Sequence, residues 1–168
     1  MKNISLYAGL LAGSMIVAPL AAHAEDAMVL PIKRLSMDTA LKMAQATIKK
    51  CRTLGVNVAV TIVDRGGHPQ IVLRDTLAMD LTLPISRDKA YSAMSFNMPS
   101  GDLEGRFKGP ASIGKTVGVV AARGGLPINV GGTIMGGIGV SGAPSGKTDE
   151  QCAKAGMDAV LSDLEMSM

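Results

Sequence analysis

Val56-Asn-Val-Ala-Val-Thr-Ile-Val-Asp64-Arg-Gly-Gly-His68-Pro-Gln70-Ile-Val-Leu-Arg74-Asp75 is the stretch on which the reading of the whole chain turns. Val56 to Asp64 is rich in β-branched side chains, which suit a pleated and packed surface. Arg65 to Pro69 supplies turn residues, including two glycines able to take positive φ without steric cost. Gln70 to Asp75 then returns as a second strand. A β-hairpin is the expectation, and no regular strand-helix alternation follows that would build a parallel sheet.

Upstream, Ser36 is placed to cap a helix whose apolar positions Met37, Ala40, Leu41, Ala44, Ile48 and Cys51 step by three or four before Gly55 ends it. Downstream, a second helix runs from about Pro84 through Ala90, Tyr91, Met94 and Ser95. Between Gly109 and Gly146 there are 12 glycines in 38 residues, interleaved with the runs Thr116 to Ala121, Leu126 to Val130 and Thr133 to Ser141. These read as three further strands. Glycine inside a strand marks a bulge or a close approach, so Gly136, Gly137 and Gly139 imply a helix, subunit or ligand pressed against the backbone. Thr148-Asp149-Glu150-Gln151 has the form of a capping box, and Cys152, Ala155, Gly156, Ala159 and Val160 form the inward stripe of a last helix. The expected order is α-β-β-α-β-β-β-α: an α+β domain with a five-stranded antiparallel sheet and helices packed against it.

The first 24 of the 168 residues have the form of a secretory leader. Lys2 gives a positive start, Ile4 to Val17 is apolar, and Ala22-His23-Ala24 fits signal peptidase, so cleavage before Glu25 is expected. Pro19 ends the apolar run before the roughly 17 residues that a membrane span needs. Residues 25–168 are then a single periplasmic or secreted domain with no stable membrane insertion. From Glu25 onward, 16 Lys plus Arg face 14 Asp plus Glu, lowering the net charge from +3 to +2. Such a balance does not suit nucleic-acid binding. Tyr91, Phe96 and Phe107 are the remaining aromatics, too few for base stacking or a cation cage.

Cys51 and Cys152 stand 101 positions apart, which excludes CxxC redox and zinc spacings and the CxxCH haem attachment signature. A disulfide or two buried thiols remain. An oxidising compartment favours the bridge, and the packing of the first and last helices decides it.

Two phosphate motifs are present in letters only. Gly109-Pro-Ala-Ser-Ile-Gly114-Lys115-Thr116 matches GxxxxGK[ST], but the residues before it make a poor strand and Val117-Gly118-Val119-Val120 makes a poor helix. Gly137-Ile-Gly139-Val-Ser-Gly142 matches GxGxxG, yet it lies in the last expected strand and not at a first βα turn. Lys115 and Thr116 are therefore not expected to bind nucleotide.

Few side chains suit catalysis. No GxSxG surrounds any Ser, and no two carboxylates stand three apart to make an acid-x-x-acid iron site. His68, the only histidine after the leader, is the one side chain able to bind haem iron strongly near neutral pH, against a simpler reading as a polar turn residue. Arg74 shares a strand face with Val72 and either pairs with Asp75 or Asp88 or holds a ligand carboxylate. Lys89 poses the same choice, with solvent exposure as its plain alternative. The ten methionines after the leader read as core filler, Met94 and Met98 flanking Phe96.

Val63-Asp64-Arg-Gly66-Gly67-His68, Arg74-Asp75, Ser86-Arg-Asp-Lys89-Ala90-Tyr-Ser-Ala93, Gly124-Gly125-Leu-Pro127-Ile128, Ile138-Gly139-Val140-Ser141-Gly142 and Asp149-Glu150-Gln-Cys152-Ala-Lys-Ala-Gly156 together resemble the GlcG/HbpS-like haem-binding family, which includes the C-terminal domain of PduO. The resemblance runs in order from about Ser36 to Leu164. It implies an antiparallel five-stranded sheet with helices, a homo-oligomer and, in some members, non-covalent haem binding with slow oxidative degradation of the haem. Extracellular redox-sensing members carry the acid-x-x-acid iron site that this chain lacks.

The leading expectation is an exported protein for haem or a related tetrapyrrole, with His68 as axial ligand, Tyr91 or a Met as the other choices, and basic groups such as Arg74 and Lys89 for the propionates. The alternative is an accessory protein or small enzyme acting on an organic acid, suggested by the family's company with hydroxy-acid and diol metabolism, with Arg74 as the carboxylate clamp. A third is a ligand-free oligomer that partners a sensor or another exported protein.

Overall fold

The computed structural model describes residues 28–107, 109 and 112–168. The expected leader and its cleavage site lie outside the described residues. The chain divides into Met1–Leu30 and Pro31–Met168, and every helix and strand among the described residues belongs to the second unit.

The hairpin forms from β1 (Ala59–Asp64) and β2 (Pro69–Arg74), paired antiparallel with Val60 opposite Leu73. Gly67 at the turn has φ +83°, a conformation that favours glycine. A second antiparallel pair, β3 (Gly125–Val130) and β4 (Thr133–Ser141), joins through β4 to β1, giving the strand order β2-β1-β4-β3. Helix α1 (Met37–Thr53) precedes the hairpin, α2 (Thr82–Phe96) lies between the two strand pairs, and α3 (Gly146–Met166) closes the chain.

The observed order is thus α-β-β-α-β-β-α and the sheet has four strands, correcting the expected five. The run Thr116 to Ala121 has strand-like residues but no place in a ladder. A 3-10 turn at Ile113–Lys115 leads into it, Val119 N–H turns back to Thr116 O, and Gly118 sits at φ +90°. Val120 N–H donates to the Ser92 hydroxyl on α2 at 2.8 Å, so the segment binds α2 in place of a neighbouring strand. The described part of the GxxxxGK[ST] match occupies that 3-10 turn and its end at Thr116; Pro110 and Ala111 lie outside the described residues.

β1 is buried along its whole length because both faces of the sheet are covered. Val58, Val60 and Ile62 enter the main core with Met43, Ala44, Ile48, Ile138, Val140 and Val160, which places α1 and α3 on that side. Val63 packs on the other side against Ala90 and Met94 of α2. There the Thr61 and Ser86 hydroxyls meet at 2.8 Å, satisfying two buried polar groups. The strand glycines explain how close α2 comes. A Cβ on Gly139 would stand 2.0 Å from Ser86 O, and one on Gly137 would stand 2.4 Å from Ala90 O. The GxGxxG letters therefore mark a helix packed on a strand.

The Ser36 hydroxyl accepts from Thr39 N–H and caps α1. Helix α3 begins three residues before the expected Thr148: Ser145 is its cap, and Asp149 turns inward to a buried partner. Cys51 of α1 and Cys152 of α3, both fully buried, form a disulfide with Cα atoms 5.5 Å apart. Near it, a Cβ on Gly156 would meet Thr47 Oγ1 at 1.9 Å, so these helices touch where α3 lacks a side chain. Among the described residues no helix is long and apolar enough to cross a membrane.

Candidate functional site

The hairpin turn is held by one carboxylate. Asp64 Oδ1 accepts the backbone N–H groups of Gly66 at 2.8 Å and His68 at 3.0 Å, and Oδ2 faces Arg34 at 3.3 Å. Burial pushes the Asp64 carboxyl up, but the His68 and Gly66 N–H groups, then the charges of Arg34 and His68, bring it below its ordinary value. The turn carries His68 outward, its side chain 82% exposed, with Nδ1 3.6 Å from Asp64 Oδ1.

Beside the turn lies a groove of about 280 Å³ between the hairpin, α2 and the Val117-Gly118 segment, lined by Gly67, Pro69, Arg87, Tyr91 and Val117 among others. A side chain at Gly67 would collide with the Tyr91 ring, its Cβ 2.8 Å away, which ties the turn to α2. Tyr91 and Val117 offer exposed apolar surface, and Arg87 supplies a cation paired with Asp88 at 2.6 Å.

Arg74 lies at the opposite end of β2, about 20 Å along the strand from His68 at some 3.3 Å per residue. It donates to Ala78 O and lines a separate groove with Lys49 and Arg52. Asp75 pairs with Arg52 and not with Arg74: Arg52 Nε and Nη2 reach its two oxygens at 2.8 and 2.9 Å. That hydrogen bonding, reinforced by the Arg52 charge, holds the Asp75 carboxyl below its ordinary value. Lys89 is buried, not solvent-exposed: its ammonium donates to Asp149 Oδ2 at 2.9 Å and Val140 O at 3.0 Å. Burial pushes the Asp149 carboxyl up despite the pull of Lys89 and of Ala143 N–H.

The structure therefore brings His68, Arg74 and Lys89 to three different places. The sequence does not mark Arg87 or Val117 as site residues: helix periodicity does not reveal that Arg87 faces a distant turn, for which the Ser86-Arg-Asp-Lys89 motif is the one signal, and Val117 lies in a run that reads as a strand. Asp149 was read as part of a cap, and its burial is a tertiary fact.

Two predictions follow from these charges. Lys89→Met should lower stability by about 3 kcal/mol by stranding a buried acid, and adding Asp149→Leu should recover most of it; urea midpoints of both variants check this. Asp64 and Asp75 have depressed folded-state values, so their contribution is present above the unfolded carboxylate value and lost as pH falls through the folded one. Asp149 has the opposite sign and costs stability as pH rises from its unfolded to its folded value. Urea midpoints should therefore fall on strong acidification, and Arg52→Met should shrink that fall by removing the partner of Asp75.

Comparison with known proteins agrees with this fold. A family model described as "Haem degrading protein HbpS-like" matches residues 35–158. An uncharacterized 15.0 kDa protein of Citrobacter freundii, from the dhaT-dhaS intergenic region, is 30% identical over 116 residues, 66% of this chain and 82% of that protein. A double mutant of Streptomyces reticuli HbpS superposes with a TM-score of 0.76 at 32% identity, covering 86% of this chain and 98% of that one. The haem complex of PduOC, at 24% identity and a TM-score of 0.68 over 76% of this chain and 95% of that one, shares the fold. With the match spanning the first helix, the hairpin, both strand pairs and most of the last helix, the chain belongs to the HbpS-like family.

Proposed function

We propose that this is an exported haem-binding protein in which His68 would hold the haem iron, Pro69, Tyr91 and Val117 would give apolar contact and Arg87 would take a propionate. The carrying observation is the setting of His68: the imidazole is open to solvent while its Nδ1 faces a buried carboxylate fixed by two backbone N–H groups. Metal-binding imidazoles commonly present one nitrogen to the iron and turn the other to a carboxylate. When bound, haem supplies an iron centre for electron transfer or oxygen chemistry. The residues fit such a group on one side: a nitrogen donor, an apolar wall and a cation. The family's description as haem-degrading supports slow oxidative loss of the bound haem as an accompanying activity.

Export is supported by the leader at residues 1–24 and by a disulfide, which persists in oxidising compartments. A homo-oligomer is supported by the exposed Leu77, Met79 and Leu81, apolar surface that a second copy can cover.

Ferric haem titrated into the protein should give a saturable change in the Soret region. Arg87→Ala should weaken binding roughly tenfold, the loss of one charge-assisted contact, with the iron spectrum unchanged. No saturable change in the unaltered protein would end the haem reading.

A further inference from the structure

Lys89 and Asp149 line a third cleft, of about 530 Å³, where β4 ends, α3 begins and the segment before β3 passes. It shares no lining residue with the groove beside the hairpin turn, which Gly67 and Pro69 line and His68 itself does not. An ammonium has three N–H donors. Lys89 spends two, on Val140 O and Asp149 Oδ2, and among the described residues the third has no protein acceptor although the side chain is only 6% exposed. The other oxygen of Asp149 is taken by Ala143 N–H at 3.0 Å.

Arg123 and Lys147 stand on the same cleft. Arg123 gives Nη1 to Glu150 at 3.2 Å and keeps its other N–H groups, while the Lys147 ammonium has no ion pair among the described residues. The N-terminus of the 21-residue α3 opens there too, adding the positive end of the helix dipole. Asp149 is set against Lys89 and Glu150 against Arg123, which leaves Lys147 and the helix N-terminus facing Glu104 around an unspent buried donor.

We propose that this cleft binds a small oxyanion, a carboxylate or a phosphate, accepting from the third N–H of Lys89 and from Arg123 and Lys147. This site is independent of the haem reading. The experiment follows backbone amide shifts of the haem-free protein as acetate or inorganic phosphate is added at fixed ionic strength, with chloride as control. Saturable shifts should appear at Gly142, Ala143 and Gly146 with acetate, phosphate or both, and not with chloride; the pattern distinguishes the two sources. Arg123→Gln combined with Lys147→Gln leaves the buried pair in place and should weaken binding at least tenfold. Lys89→Met with Asp149→Leu should abolish it in the folded variant. Absence of saturable shifts with both anions, or unchanged affinity in the Arg123→Gln, Lys147→Gln variant, would overturn the proposal and leave haem binding at His68 untouched.

Discussion

Gly139→Val should leave the domain unable to fold, and Gly139→Ala should cost at least about 3 kcal/mol, the upper end of what overpacking usually costs. The Cβ of either variant would stand 2.0 Å from Ser86 O and 2.5 Å from Ala90 N. Both are backbone atoms of α2, so no side-chain rotation relieves the clash. Relief requires lifting α2 off β4, which would open the Val63, Ala90 and Met94 cluster and the Thr61 to Ser86 hydrogen bond. Gly55→Ala is the control. Gly55 has φ +73° with nothing within 4 Å of a Cβ, so it should cost only the left-handed conformation, about 1 kcal/mol. Urea denaturation of the two alanine variants checks the contrast; equal costs would mean that α2 does not sit so close to the sheet.

The second large effect is expected from the disulfide. Cys51 and Cys152 enclose all four strands and α2, with a sequence separation of 101, and a loop of that size restricts the unfolded chain strongly. Cys51→Ala with Cys152→Ala should lower stability by about 4 kcal/mol in the chain-entropy account. Reduction of the unaltered protein should shift its urea midpoint in the same direction. An unchanged midpoint after verified reduction would contradict this account.

The hairpin, the first helix and its Ser36 cap were readable from residue type and spacing, because local preferences and burial agree there. The glycines of β4 announced a close neighbour, and α2 is that neighbour. The fifth strand failed for a physical reason: Val117, Val119 and Val120 have strand propensity, but a strand also needs an edge with free ladder groups. The Ser92 hydroxyl captures Val120 N–H, and Gly118 turns the backbone away. Thr148 looked like a cap because letters do not show that Asp149 is drawn inward by Lys89, 60 residues earlier. At the candidate site, His68 is identifiable as the one histidine after residue 24. Its neighbours were not, since the groove is made by three segments that only the fold brings together.

The central claim is that His68 supplies the iron ligand, and the most direct measurement is the absorption spectrum of the ferric haem complex of His68→Ala with and without added imidazole. The account predicts a histidine-type spectrum in the unaltered protein, its loss in His68→Ala, and its return when added imidazole stands in for the missing side chain. An identical spectrum and affinity in His68→Ala without imidazole would contradict it.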